Sequence, residues 1–231
     1  MVKQAIILAA GEGKRMKAGS FDAEILSTPK PLLKVGGVPI IEKNVKKLIE
    51  NGFGVCIVVH EDNKKAFQEA LKDYNVSYVI QKERLGTANA LMAAKDFIND
   101  DLAIVLMGDD IIEYDLKQIK EADGPAVFGY EMDDVSGYGA IILDKDGYVK
   151  EIKEKQIKGK GFANTGVYIM HKDFLDIYSE IPKNEKSGEY YLTDAIGILY
   201  DRGVKFSFVK ANFWMGINTQ EQLSLARRGA F

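Results

Sequence analysis

The sequence predicts an α/β fold: a mostly parallel sheet flanked by helices, followed by an elaborated, β-rich second half. Three observations carry that reading. Over about the first 110 residues, short apolar runs alternate with stretches of helical period, the pattern of right-handed βαβ crossovers. Beyond that point the runs crowd together and are joined by hairpin signals instead of helices. With 231 residues, 46% of them hydrophobic, the chain can bury a sizeable core without covalent staples.

Element by element, residues 5–9 form a continuous apolar run, read as a buried strand, and Gly11 and Gly13 break it. Residues 39–50 put Ile40, Ile41, Val45, Leu48 and Ile49 on one helical face, and Asn51-Gly52 stops that helix. Residues 55–59 read as a second buried strand. Asp62 is the expected N-cap of a helix over 63–72. A strand at 76–80, a helix at 87–98 and a strand at 102–107 follow, ending at Gly108-Asp109-Asp110. In the second half, 125–131, 138–143 and 148–153 read as strands, with a hairpin turn at 144–147. Residues 165–170 form another strand, and helices over 191–201 and 219–228 flank a strand at 205–209. No linker divides the chain, so one domain is expected over 1–231. Residues 17–28 and 155–161 lack periodicity; they read as surface loops or as mobile lids.

Charge and cysteine usage exclude several classes. Formal net charge is −3 with acids and bases interspersed, so there is no basic stripe for nucleic acid. No apolar stretch approaches the roughly 20 residues of a membrane span, and the opening residues lack a signal-peptide pattern. The single cysteine, Cys56, lies in an apolar run and is expected in the core of a protein from a reducing, cytoplasmic compartment. His60 and His171 show no evident acidic partner in sequence and read as surface or structural residues.

The segment Leu8-Ala9-Ala10-Gly11-Glu12-Gly13-Lys14-Arg15-Met16 follows the first strand. In open parallel sheets, ligands bind beyond the carboxyl ends of the strands. Glycines there let backbone N–H groups face a phosphate, and Lys14 and Arg15 add cations. A dinucleotide fingerprint is excluded because Met16 holds its third glycine position, and Met16 also breaks a Walker A loop. Taken alone, the loop fits a plain turn as well as a phosphate grip. Pro29-Lys30-Pro31 follows, with prolines that fix the backbone on both sides of a lysine.

At this point the chain resembles the sugar-phosphate nucleotidyltransferase (pyrophosphorylase) family. The resemblance runs through Leu8 to Met16, Pro29-Lys30-Pro31, Gln81 with Leu85-Gly86-Thr87, Gly108-Asp109 and Gly137-Tyr138-Gly139. It continues through Ile152-Lys153-Glu154-Lys155, Asn164-Thr165-Gly166, Gly188 to Asp194 and Gly216-Ile217-Asn218. The combination of the last two elements is similar to the uridylyltransferase domain of bifunctional N-acetylglucosamine-1-phosphate uridylyltransferases.

The resemblance implies a nucleotide-diphospho-sugar transferase fold, Rossmann-like, with a nucleotide-binding half over about 1–110 and a sugar-binding half over about 111–231. It implies joining of a nucleoside triphosphate, UTP or dTTP, to N-acetylglucosamine or glucose 1-phosphate. A sugar-phosphate oxygen attacks the α-phosphorus in line and pyrophosphate leaves, so positioning and charge neutralisation carry the rate. Arg15, Lys30 and Asp109 are the implied catalytic residues. Leu8, Ala9, Ala10, Gly11, Gly13, Gln81, Gly86 and Thr87 are the implied nucleotide contacts, with Gln81 reading the base and Gly86 allowing its close approach. Gly139, Glu154, Lys155, Asn164 and Thr193 are implied for the sugar phosphate, Gly139 leaving room for the ring. Asp109 and Asn218 are the implied ligands of magnesium, which prefers oxygen donors; Asp110 reads as a bystander. The implied partners are the two substrates, with neither nucleic acid nor membrane; a homo-oligomer is compatible with the sequence.

Four departures stand out: the one at Gly216 bears on the geometry of Asn218 and the others on base and sugar identity. Ala140 stands where this branch has Arg, Arg84 where it has Gln, and Gly216 where many members carry Asp. The stretch between Met16 and Pro29 is also longer than usual. No hexapeptide repeats are present, so a bifunctional enzyme is not expected. Two other functions remain open: a cytidylyltransferase acting on a small phosphorylated alcohol such as phosphocholine, and a non-catalytic nucleotide- or sugar-binding regulator.

Overall fold

The structure, a computed structural model, describes residues 2–229. From the N-terminus, β1 (Gln4–Leu8) leads through α1 (Lys14–Lys17) and α2 (Ala23–Ser27) to a short ribbon of β2 (Lys34–Val35) and β3 (Val38–Pro39). There follow α3 (Ile40–Glu50), β4 (Gly54–Val59), α4 (Lys64–Ala70), β5 (Ser77–Ile80), α5 (Thr87–Ala93) and β6 (Leu102–Met107). The second half comprises β7 (Asp110–Glu113), α6 (Leu116–Lys120), β8 (Ala126–Met132), β9 (Gly139–Leu143), β10 (Tyr148–Glu154) and β11 (Gly161–His171). It closes with α7 (Phe174–Ile177), α8 (Leu192–Asp201), β12 (Phe206–Lys210), β13 (Phe213–Gly216) and α9 (Gln220–Arg227).

Nine strands share one sheet in the order β5-β4-β1-β6-β11-β8-β12-β10-β9. β5, β4, β1 and β6 are mutually parallel, as helical crossovers require. Their residues alternate between two buried faces. Ile7 and Ile57 pack with Val45 and Leu48 of α3 and Phe67 of α4. Ile6, Leu8 and Val58 pack on the other face with Ala88 and Leu91 of α5 and Ala195 and Ile196 of α8. Burial on both sides explains why these strands read as unbroken apolar runs. Antiparallel β11 joins the parallel part to the second half, and β9 returns to meet it at Ala140 and Ala163. The second half therefore curls upon itself beside the edge formed by β6.

Several expectations change in detail. Asp62 caps no helix: a 3-10 turn over Glu61–Asn63 precedes α4, and the His60 ring accepts from the Asp62 N–H. The Asp62 carboxylate stands 2.9 Å from the same His60 nitrogen, and Asp173 stands 3.1 Å from His171 Nδ1, so each histidine has an acidic neighbour two residues on. The expected helix at 87–98 ends at Ala93 and tightens into a 3-10 turn over Lys95–Phe97. The strand expected at 165–170 begins at Gly161 and absorbs the end of one presumed loop. The other presumed loop holds α2, capped by Asp22 accepting from the Glu24 N–H at 2.8 Å.

Cys56 sits in β4 without measurable exposure, and burial pushes its thiol up to about 12. A thiolate is the reactive form. Iodoacetamide is therefore expected to leave the native protein unlabelled and to modify Cys56 fully in denaturant. Stoichiometric labelling of the folded protein would contradict this packing.

Candidate active site

The carboxyl ends of the parallel strands share one edge. Leu8 lies opposite both Val58 and Met107, and Val59 lies opposite Ile80. Each strand delivers its next residues there: Ala9 to Gly13 after β1, Gln81 after β5, and Gly108-Asp109 after β6. Ala9 still donates to the Val58 carbonyl at 2.8 Å. Beyond Ala9, main-chain pairing lapses until the Gly13 carbonyl accepts from the Lys17 N–H at 3.1 Å. Among the described residues nothing accepts from the N–H groups of Gly11, Glu12 or Gly13. Gly13 turns into α1 at φ 70°, a left-handed conformation that costs glycine little. Arg15, in α1, is exposed, and its charge is felt by Glu154.

Lys30 opens a 3-10 turn between two prolines, and its side chain is only 12% exposed. Its Nζ donates to Asn218 Oδ1 at 3.1 Å and is ion-paired with Asp109. Asp109 lies in the turn from β6 to β7. Asn218 follows β13, which pairs antiparallel with β7 so that Gly216 faces Asp110. This ribbon brings Asp109 and Asn218 to the same end. Gln222 Oε1 accepts from the N–H groups of Asn218 at 2.8 Å and Thr219 at 3.0 Å. Thr219 Oγ1 accepts in return from the Gln222 N–H, a capping box that holds Asn218 at the start of α9. A Cβ at Gly216 would lie 2.9 Å from Asn218 Nδ2 and 3.3 Å from Asp110 Oδ1. Glycine at this departure from the family pattern is thus what leaves space for Asn218.

A carboxylate and an amide oxygen that share one ammonium have the chemistry of a cation site. Asp109 and Asn218 fit magnesium, which takes few protein oxygens and completes its shell with water and phosphate. Asp110, read as a bystander, is tied into the packing beside this pair. It is buried, accepts from Trp214 Nε1 at 3.3 Å, and receives Asn44 Nδ2 on its carbonyl at 3.3 Å. Burial pushes its carboxyl up, with Asp109 adding to the effect while Lys30 and the Trp214 hydrogen bond oppose it. The sequence signal for Asp110 was weak, a second acid one residue past the first.

Gln81 is buried, and its Nε2 donates to the Gly86 carbonyl at 3.0 Å and to Asn89 Oδ1 at 2.9 Å. The main-chain acceptor settles which end of the amide is nitrogen. Only Oε1 is left to face a ligand. The close approach at Gly86 is to the chain itself: a Cβ there would lie 2.5 Å from the Tyr190 carbonyl oxygen. Thr87 Oγ1 accepts from the Leu192 N–H at 2.9 Å, and Ala88 donates to the Tyr190 carbonyl at 3.0 Å. Gly86 and Thr87 therefore clamp the segment that starts α8.

The second cluster lies in the curled half. Gly139 faces Glu154 across the β9–β10 ladder, and a Cβ at 139 would lie 2.7 Å from Glu154 Oε1. The room it leaves is taken by that carboxylate rather than standing open. The crowding of protein around Glu154 raises its carboxyl; Lys155 and Arg15 pull the other way, and Asp194 adds to the rise. Lys155 adopts φ 53°, the one non-glycine residue with positive φ among those described, a strained conformation of the kind found at ligand sites. Asn164 lies where β11 bulges; its Nδ2 donates to the Tyr168 hydroxyl at 2.6 Å and its Oδ1 accepts from the Gly166 N–H at 3.2 Å. One N–H and one lone pair of its amide stay open. Thr193, in the first turn of α8, is buried with a hydroxyl that has no partner in the described structure. Such a group costs about 1–3 kcal/mol unless water or a ligand satisfies it. The two clusters meet at Tyr168, whose hydroxyl is affected by the charges of both Glu154 and Asp110.

A family model described as nucleotidyl transferase matches residues 4–228. The chain belongs to the nucleotidyl transferase family. This is the family to which the motifs pointed. Among curated relatives, the bifunctional protein GlmU of Clostridium beijerinckii is 32% identical over 242 residues, which cover 98% of this chain and 51% of the relative. GlmU of Thermoanaerobacter pseudethanolicus is 34% identical over 239 residues, covering 96% and 50%. The chain thus spans about half the length of the curated relatives it matches. Among solved structures of the same fold, HddC from Yersinia pseudotuberculosis superposes with a TM-score of 0.77 at 27% identity, with both chains fully covered. A Bacillus anthracis protein assigned as a glucose-1-phosphate thymidylyltransferase, solved with sucrose, gives a TM-score of 0.79 at 25% identity, covering 99% of this chain and 95% of that one. Among the described residues no helix is long and apolar enough to cross a membrane.

Proposed function

We propose that the protein is a sugar-1-phosphate nucleotidyltransferase whose single domain spans the chain. The observation that carries this reading is the meeting of three features at one sheet edge: unpaired loop N–H groups, the half-buried Lys30 ammonium, and the Asp109–Asn218 oxygen pair. Ala10 to Gly13 would cradle the triphosphate, with Leu8 and Ala9 forming the floor beneath the nucleoside. Arg15 and Lys30 would neutralise the charge that grows on the departing pyrophosphate. A magnesium ion held by Asp109 and Asn218 would add to that neutralisation. Glu154 and Asn164 would hold sugar hydroxyls, Lys155 would approach the sugar phosphate, and Thr193 would give its unsatisfied hydroxyl to the same substrate. The sugar phosphate is already anionic, so no protein base is needed; orientation for in-line attack is the work of the site.

The orientation of Gln81 favours particular bases. Both of its amide protons are committed within the protein, so Oε1 must accept from the base. Uracil and thymine offer an N3–H there, whereas cytosine presents a lone pair at that position. At the N3 position this acceptor favours UTP or dTTP over CTP; the expected preference over ATP and GTP rests on the family resemblance, since guanine and adenine also carry N–H donors. The test is pyrophosphate release from purified protein with magnesium, each nucleotide, and a panel of N-acetylglucosamine 1-phosphate, glucose 1-phosphate and phosphocholine. A sugar 1-phosphate with UTP or dTTP should give turnover. Release with phosphocholine and CTP alone would replace this reading with a cytidylyltransferase. Silence across the panel from a folded sample would leave a binding protein.

A further inference from the structure

We propose that Arg84 is a positioning residue for the glycine loop, an inference that deepens the proposed function and rests on it for its catalytic consequence. Arg84 lies between β5 and α5, and its Nε donates to the Ala10 carbonyl at 3.1 Å. None of the described peptide bonds is cis. In a trans peptide the carbonyl and the next N–H point in opposite directions from one plane. Holding the Ala10 oxygen toward Arg84 therefore turns the Gly11 N–H away from it, and that N–H, like those of Glu12 and Gly13, has no acceptor among the described residues. The far end of the guanidinium spans the loop more loosely. Its nitrogens lie 3.4 Å from Asp62 Oδ2 and 3.7 Å from Glu12 Oε1, both on exposed side chains. Pairs of that kind contribute little; the directed bond to Ala10 is the one that orients. A planar fork with fixed donor directions suits this task better than a flexible ammonium. A cavity of about 570 Å³, lined in part by Gly11, Lys14, Lys17 and Arg84, opens beside the same loop.

The role is tested with Arg84→Ala and Arg84→Lys. In the free protein, the Gly11 and Gly13 amide resonances should move toward random-coil positions in Arg84→Ala. Inorganic pyrophosphate should then bind about tenfold more weakly by calorimetry, the effect of one charge-assisted hydrogen bond. Arg84→Lys, which keeps one donor and the charge, should lie within about threefold of wild type. In turnover, KM for the nucleotide should rise while KM for the sugar phosphate holds, with the melting temperature changed by no more than about 2 °C. Unchanged loop resonances with unchanged pyrophosphate affinity in Arg84→Ala would overturn the proposal. So would an equal rise in both KM values with a large fall in melting temperature, the mark of general damage. If wild type turns over no substrate but its loop resonances respond to Arg84→Ala, the catalytic reading fails and the positioning role stands.

Discussion

Asp109→Asn is expected to lower turnover at least about a hundredfold, the scale of losing one preorganised electrostatic group. The substitution keeps the shape of the side chain and removes its charge. Lys30 then loses its ion-pair partner and keeps only the hydrogen bond to Asn218. The oxygen pair suited to a divalent cation becomes two neutral amides, which bind magnesium far less readily than a carboxylate does. Some stability should go with the ion pair, because Lys30 is only 12% exposed, but the fold should hold because Asp110 keeps the Trp214 contact. The measurement is pyrophosphate release at saturating substrates, with a thermal melt as control. Turnover within a few-fold of wild type would remove Asp109 from the proposed chemistry.

Gly86→Ala is expected to destabilise the protein by about 3 kcal/mol, combining backbone strain with steric overlap. Gly86 has φ 93° and ψ −176°, a region occupied almost only by glycine. Its Cβ position is also blocked by the main chain at Tyr190 and the side chain of Glu189, and neither can swing aside as the end of a flexible side chain can. In a domain of this size the melting temperature should fall by roughly 6–12 °C. Because the strand of contacts from Leu85 to Ala88 carries the start of α8, displacement should also reach Thr193. An unaltered melting curve would mean that this clamp does not exist in solution.

The strands of the first half were legible because burial on both faces writes them as plain apolar runs, as in residues 5–9 and 102–107. The helix α3 was legible from one-sided periodicity and its Asn51-Gly52 stop, and α9, expected over 219–228, spans Gln220–Arg227. The ribbon of β7 and β13 was not. Each strand has four residues, too few for a period to emerge, and the partners come from distant parts of the chain. The helix α1 was invisible for a related reason: Gln220 Nε2 supports the stretch from Met16 to Ala18 by bonding their carbonyls, a contact that no local pattern announces. Among the candidate site residues, Lys30, Asp109 and Asn218 were readable as a motif series, and the structure brings them together. Gly86 and Gly139 were readable as positions needing space, but the sequence could not say that the chain itself fills it. Arg84 appeared only as a departure from a pattern; its bond to Ala10 required coordinates.

The contact between Lys30 and Asn218 spans 188 positions of sequence. Closing so wide a loop carries an entropic cost, which falls once the intervening sheet offers a surface to close upon. A nascent chain whose β13 is still within the ribosome therefore holds the glycine loop and Asp109 without Asn218 to complete the oxygen pair. On the proposed function, cation binding would be a property of the finished fold alone, and a partly made polypeptide would lack the oxygen pair with which to hold metal or consume nucleotide.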